Sequence, residues 1–296
     1  MRLPRQVSFR TLAIGLALSL VASTASTRCS GQDIDTLITS QTPRRTTVFD
    51  EAQSPGEHSA ILALYKEKDS AVRARLAASF LKTYPRSAFL TDVYQIAAKA
   101  EITLGNYSDA LKYAAQALRL YPESELLLVS VADVQAQQSL YQQAEWNASN
   151  ALDDLSRFTS PASVSEEEWK RVKPQLEASC YFVLGRARMA QALGSRSASE
   201  RTKGMKETLD DLRRAASLNP TDDEVEYLAG LASLALTDSS AAAGHFARAY
   251  RLKGRLESKA LGQLQKLYSA SVRQPQAPFE VYVKSIPDPP VPAQRS

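Results

Sequence analysis

Fifteen residues, Leu104 to Leu118 (LGNYSDALKYAAQAL), return 34 positions later as Gln138 to Leu152 (QSLYQQAEWNASNAL). Tyr107/Tyr141, Ala110/Ala144, Ala114/Ala148, Ala117/Ala151 and Leu118/Leu152 stand in register. The alanines recur four and seven places apart, with a leucine eight places on, which puts them along one face of a helix. A self-match at a fixed period of this length constrains the whole chain. It has to stack one helical unit on the next, because a single unit cannot bury its apolar face alone.

Around this core the chain divides by composition. Residues 26–56 are rich in Thr, Ser, Gln, Pro and Arg, too poor in apolar groups to offset the entropy of ordering, and read as a disordered linker. From 57 to 273, Ala, Leu and Tyr recur at helical spacing, broken by Tyr84-Pro85, Tyr121-Pro122 and Asn219-Pro220. The clearest repeats are 91–124 and 125–156, with insertions at 157–174 and 195–204. Ser165 and Glu168 form a capping box ahead of a new helix, and Glu177 to Leu193 then supplies the first helix of a later pair. Leu256 to Val272 reads as a helix that closes the stack. Residues 274–296 form a Pro-rich extended tail, in which Phe279, Val281, Tyr282 and Val283 are apolar enough to dock back on the array.

The 34-residue period, the tyrosine ahead of an alanine face, and Ala98, Ala110, Ala117 and Pro122 at the expected places make the chain resemble the tetratricopeptide repeat (TPR) family. The resemblance implies an all-α, TPR-type right-handed helical solenoid of about four helix–turn–helix units plus a C-terminal capping helix. Gly230, Ala242 and Ala249 occupy matching places in the last unit. Small side chains there let neighbouring helices approach closely.

Residues 1–25 carry Arg2, Arg5 and Arg10 with no acid, an apolar run from Leu12 to Ala22, and small residues to Ala25. This is the pattern of a secretory signal peptide; the rival, a mitochondrial presequence, shares the Arg, Ser and Thr content but should be amphipathic, and this apolar run is unbroken by charge. Removing it leaves 33 basic against 32 acidic residues, so the formal +4 charge does not mark a nucleic-acid binder. Arg28 before Cys29 disfavours lipid anchoring through that cysteine, and Cys180 opens an apolar helical stretch as a buried small hydrophobe. The mature chain is expected to be exported, periplasmic or secreted, soluble and without a transmembrane segment.

Chemistry is sparse. The two histidines, His58 and His245, have no Cys, Asp or Glu at metal-ligand spacing, and no phosphate-loop, dinucleotide or nucleophile-elbow motif occurs. No metal, cofactor or catalytic residue is expected. The acid runs Glu166-Glu167-Glu168 and Asp210-Asp211 read as helix N-terminal acids favoured by the dipole. Asn106-Tyr-Ser108 and Asn147-Ala-Ser149 match glycosylation sequons.

The resemblance further implies a concave groove lined by the first helix of each pair. Carried over, it presents Asp92, Gln95, Lys99 and Ile102, then Leu126, Val129 and Asp133, to a protein or peptide partner. The carboxylate clamp of chaperone-binding TPR proteins is absent, since Gln95, Lys99, Leu126 and Ser130 stand at its places. Leu126→Asp with Val129→Asp is expected to abolish binding while the array stays folded. The implied function is a non-enzymatic exported scaffold for protein–protein interactions in the cell envelope. Alternatives are an accessory of outer-membrane protein assembly, or an envelope enzyme with an unrecognised site.

Overall fold

The computed structural model describes residues 52–122, 124–157, 165–271 and 278–287. The leader, most of the linker and the chain end beyond Pro287 lie outside the described residues, as does the segment 158–164. Among the described residues all regular structure is helical. In order the helices are α1 (Pro55–Lys66), α2 (Ser70–Thr83), α3 (Leu90–Thr103), α4 (Tyr107–Leu120), α5 (Glu125–Gln137), α6 (Tyr141–Arg157), α7 (Glu166–Gly194), α8 (Ala198–Leu218), α9 (Asp223–Ala235), α10 (Ser239–Arg251), α11 (Glu257–Ser271) and α12 (Phe279–Ser285). Each helix packs on its sequence neighbour. Five pairs result, α1/α2 through α9/α10, where the sequence count gives about four. The first pair, α1/α2, matches helices legible in the sequence at about Ser59 to Lys66 and Ala71 to Pro85, and its Ile61, Leu64 and Phe80 are buried in a cluster with Phe89 and Val93.

Local chemistry sets the starts and stops. Ser54, Asp69, Ser165, Ser197, Asp222 and Asp238 each cap a helix by accepting a backbone N–H two or three residues on. Three of the turns inside pairs share one geometry. Gly105 (φ 76°), Ser139 (φ 61°) and Thr237 (φ 64°) each take the left-handed conformation. At each, two successive N–H groups fold back onto carbonyls of the preceding helix, as Leu140 N–H does to Gln135 O at 2.8 Å. This double closure satisfies the orphan carbonyls of the helix end and aims the next helix antiparallel. The 34-residue period therefore extends to the backbone, from Gly105 to Ser139.

Packing follows the alanines. Ala98, Ala110, Ala117, Ala132, Ala144, Ala151, Ala242 and Ala249 are all buried. Gly230 has no Cβ because the ring of Phe246 lies where one would stand, 2.6 Å from Cε1. The interior is a row of clusters: α1–α3, then α3–α5, then a large one from α5 to α9, then α9–α12. That is the arrangement of a stack in which each unit touches only its neighbours.

Three sequence expectations change. The helix expected from Glu177 begins eleven residues earlier, running 29 residues through Pro174. Proline removes one intrahelical bond, and burial of Trp169, Val172 and Leu176 in the central cluster holds both sides of the break. The polar segment 195–204 is helical from Ala198, capped by Ser197, because Gly204 lets α8 lie against Ala192 of α7. Within the tail, residues 279–285 are a helix instead of the extended, partly polyproline conformation expected. Phe279 and Tyr282 pack on Tyr268 of α11 at ring distances of 5.3 and 5.1 Å, and Val283 and Ile286 are buried. Arg251 of α10 donates to the carbonyls of Val283 and Ile286 at 3.0 and 2.6 Å, closing the helix end.

Candidate partner-binding surface

The odd-numbered helices touch in succession, α3 on α5, α5 on α7 and α7 on α9. Among the described residues no consecutive pair of even-numbered helices touches to that extent. The first helices of the pairs therefore form the inner layer of the array, the layer on which the resemblance places a partner.

The structure separates the seven groove residues named from sequence. Leu126 and Val129 are 1% and 2% exposed, and Gln95 is 6% exposed, so none of the three is offered to a partner. Leu126 and Val129 belong to the central cluster, against Trp169, Val172 and Leu176 in the N-terminal turns of α7. Leu127 faces the opposite way, into the cluster shared with α3 and α4. Helix α5 thus buries apolar residues on two sides and leaves a narrow half-buried polar strip with Ser130, Asp133 and Gln137. The signal was in the sequence: four consecutive apolar residues, Leu126 to Val129, cannot all fit one stripe of a helix. Asp92 is half-buried and accepts from the hydroxyl of Tyr65 in α1 at 3.0 Å. Lys99, Ile102 and Asp133 are half-buried, and Asp133 accepts from Gln137 Nε2 at 2.8 Å.

Around Asp133 the structure assembles groups that the sequence did not bring together. Burial pushes the phenol pKa of Tyr107, at the start of α4, above its ordinary value. The Asp133 carboxylate adds to that rise and the Arg186 guanidinium of α7 opposes it. A hydroxyl, a carboxylate and a guanidinium from three helices therefore act on one another electrostatically. Arg186 was missed because its helix was not aligned to the earlier units. Tyr107 was visible as the repeated tyrosine but had no assigned role.

A second polar centre ties consecutive units. Arg188 of α7 donates from Nε to Glu145 of α6 and from Nη1 to Asp211 of α8, both at 2.8 Å. Burial pushes the Asp211 carboxyl up to about 6, against the pull of Arg188 and Arg214. Asp211 was expected near a helix N-terminus. It lies well inside α8, because that helix begins at Ala198, and it serves as a buried ion-pair partner.

His245 of α10 also gains a partner from far along the chain: its Nδ1 lies 2.8 Å from Glu226 Oε2 of α9, and Arg248 Nε pairs with the other oxygen at 2.9 Å. Among the described residues no three His, Cys, Asp or Glu side chains cluster as metal ligands would. Asn147 is buried and donates from Nδ2 to Gln135 at 2.7 Å, so the folded chain does not offer that sequon, whereas Asn106 is exposed. No helix among the described residues is long and apolar enough to cross a membrane.

No protein-family model and no curated protein matches the sequence. Among solved structures, the chain is similar to the MamA RS-1 ArsTM double mutant, with a TM-score of 0.50 at 14% identity. The match covers 70% of this chain and 98% of that one. MamA is a helical, TPR-like solenoid. The shared fold is an all-α stack of helical pairs. At that identity the likeness speaks to fold alone.

Proposed function

We propose that the protein is a non-enzymatic scaffold that holds protein or peptide partners on the inner layer of its array, and that it works in the cell envelope after export. The observation that carries the scaffold reading is the stack of helical pairs whose first helices form an inner layer, carrying half-buried Lys99, Ile102 and Asp133, with Tyr107 and Arg186 within electrostatic reach of one another and of Asp133. Mixed charge beside an aliphatic and an aromatic group suits an extended or helical peptide with an apolar stripe and polar flanks. Export is supported by the cationic, apolar and small-residue order of residues 1–25.

Crosslinking a C-terminally tagged full-length chain in its native cells tests both parts. Mass spectrometry then reads the mature N-terminus and the co-purified chains, for the wild type and for Asp133→Lys with Arg186→Glu. The expected result is an N-terminus after Ala25 and envelope partners that the double variant loses. An intact leader would overturn the location, and an unchanged partner set in the variant would overturn the surface.

A further inference from the structure

Away from the inner layer, a cleft of about 640 Å³ opens where the last helical pair meets the docked C-terminal helix. Arg213 of α8, Ser239, Ser240 and His245 of α10, Leu267 of α11 and Tyr282 of α12 stand on its walls. Pockets of roughly 300–1,000 Å³ are the size that takes small organic molecules.

The cleft reaches a buried imidazole. The His245 side chain is only 7% exposed, yet it lines the cavity. A carboxylate can only accept, so the Nδ1–H donates to Glu226, whose other oxygen is held by Arg248. That pairing fixes the ring and leaves Nε2 as the nitrogen not engaged by Glu226, on a residue that lines the cleft.

The remaining polar groups are mostly donors. The N–H groups of Ser239 and Ser240, in the first turn of α10, have no intrahelical acceptor. Arg213 is held only loosely, with Asp210 at 3.6 Å. Burial pushes the Tyr282 phenol up, which keeps it a donor. Asp238 is the one carboxylate on the lining, and it is committed to the Ala241 N–H at 2.9 Å. Leu267 and Ile286 supply an apolar wall. Many donors, an imidazole nitrogen not engaged by Glu226 and an apolar wall describe a ligand with an oxyanion at one end and hydrocarbon at the other.

We propose that this cleft binds a small organic carboxylate, with its oxygens on Arg213, the first N–H groups of α10 and His245 Nε2, and its apolar body against Leu267 and Ile286. Donation from Nε2 requires the ring to carry both protons. The groups facing that ring are Glu226 from α9, Arg248 on its own helix, Asp238 before it, Arg213 from α8, Leu267 from α11 and Tyr282 from α12.

Because the chain holds two histidines, the imidazole nitrogens can be followed one by one by NMR in the full-length, ¹⁵N-histidine-labelled protein near pH 6. Benzoate is titrated to roughly 10 mM, enough to fill a site with a Kd of about 1 mM. Benzyl alcohol serves as the uncharged control. The expected result is a saturable shift of the His245 signals with benzoate and none with benzyl alcohol. Binding should weaken about tenfold in Arg213→Gln, a half-exposed position whose loss leaves the circular dichroism unchanged. No shift of His245, or equal binding by Arg213→Gln, would overturn the proposal.

Discussion

Substituting alanine for Gly230 puts a number on the close approach of α9 and α10. A Cβ there would stand 2.6, 2.7 and 2.8 Å from Cε1, Cδ1 and Cζ of Phe246, inside the distance that carbon atoms tolerate. The ring cannot swing away freely. It is fully buried, with Tyr227 at 5.5 Å and Ala242 in the same cluster. Overpacking of this kind costs about 1–3 kcal/mol, and three ring atoms at once argue for the upper half of that range. Alanine regains about 1 kcal/mol of helix propensity. The net expectation for Gly230→Ala is a loss of about 1–2 kcal/mol, or roughly 2–8 °C in melting temperature for an array of this size. Urea denaturation followed by far-UV circular dichroism measures it, as a lower midpoint at unchanged slope. Phe246→Leu in the same chain should relieve the clash, so the double variant should be more stable than the sum of the single losses by about 1 kcal/mol. A Gly230→Ala protein as stable as the wild type, or strictly additive losses, would refute this account of the packing.

Thr237 is β-branched and held at φ 64°, so Thr237→Gly should stabilise the array by about 1 kcal/mol in the same urea assay. Leu126→Asp with Val129→Asp should abolish the helical circular dichroism signal instead of leaving a folded, binding-dead array, because both side chains are sealed between α5 and α7. Asp211 holds its proton up to about pH 6 in the folded chain, whereas an ordinary carboxyl releases it near 3.8. The folded state thus binds the extra proton between those values, and the stability contributed by this group falls as pH rises through that window. Relative to Asp211→Asn, the wild type should lose about 3 kcal/mol between about pH 4 and pH 6 and then stay level, as measured by urea midpoints across pH.

What the sequence made legible was whatever repeats locally. The alanine faces of α4, α6 and α10 and the proline-marked stops at Pro122 and Pro220 can be read from spacing, because each is a property of one helix. Helix α7 could not be read that way. Pro174 is a local stop signal, and what carries the helix through it is the burial of Trp169, Val172 and Leu176 against other units. That misreading propagated to the site: with the first turns of α7 treated as an insertion, nothing remained to cover Leu126 and Val129. Helix α12 is similar, since a seven-residue helix between prolines depends on Tyr268 and Arg251 to exist. The pairs Glu226–His245, Arg188–Glu145 and Arg188–Asp211 join residues 19, 43 and 23 positions apart and leave no local pattern.

Because the interior is parcelled into a row of clusters, the molecule is closer to a column of loosely coupled discs than to a single droplet. Its amide protons should exchange in bands, slowest in the slab from α5 to α9 and fastest at α1 and α2. A guest gripping Tyr107, Asp133 and Arg186 would straddle the seam between the α3–α5 disc and the α5–α9 disc. It would act as a splint, stiffening the column across its joint, so occupancy at that seam could be registered at both ends of the array without any helix changing its fold.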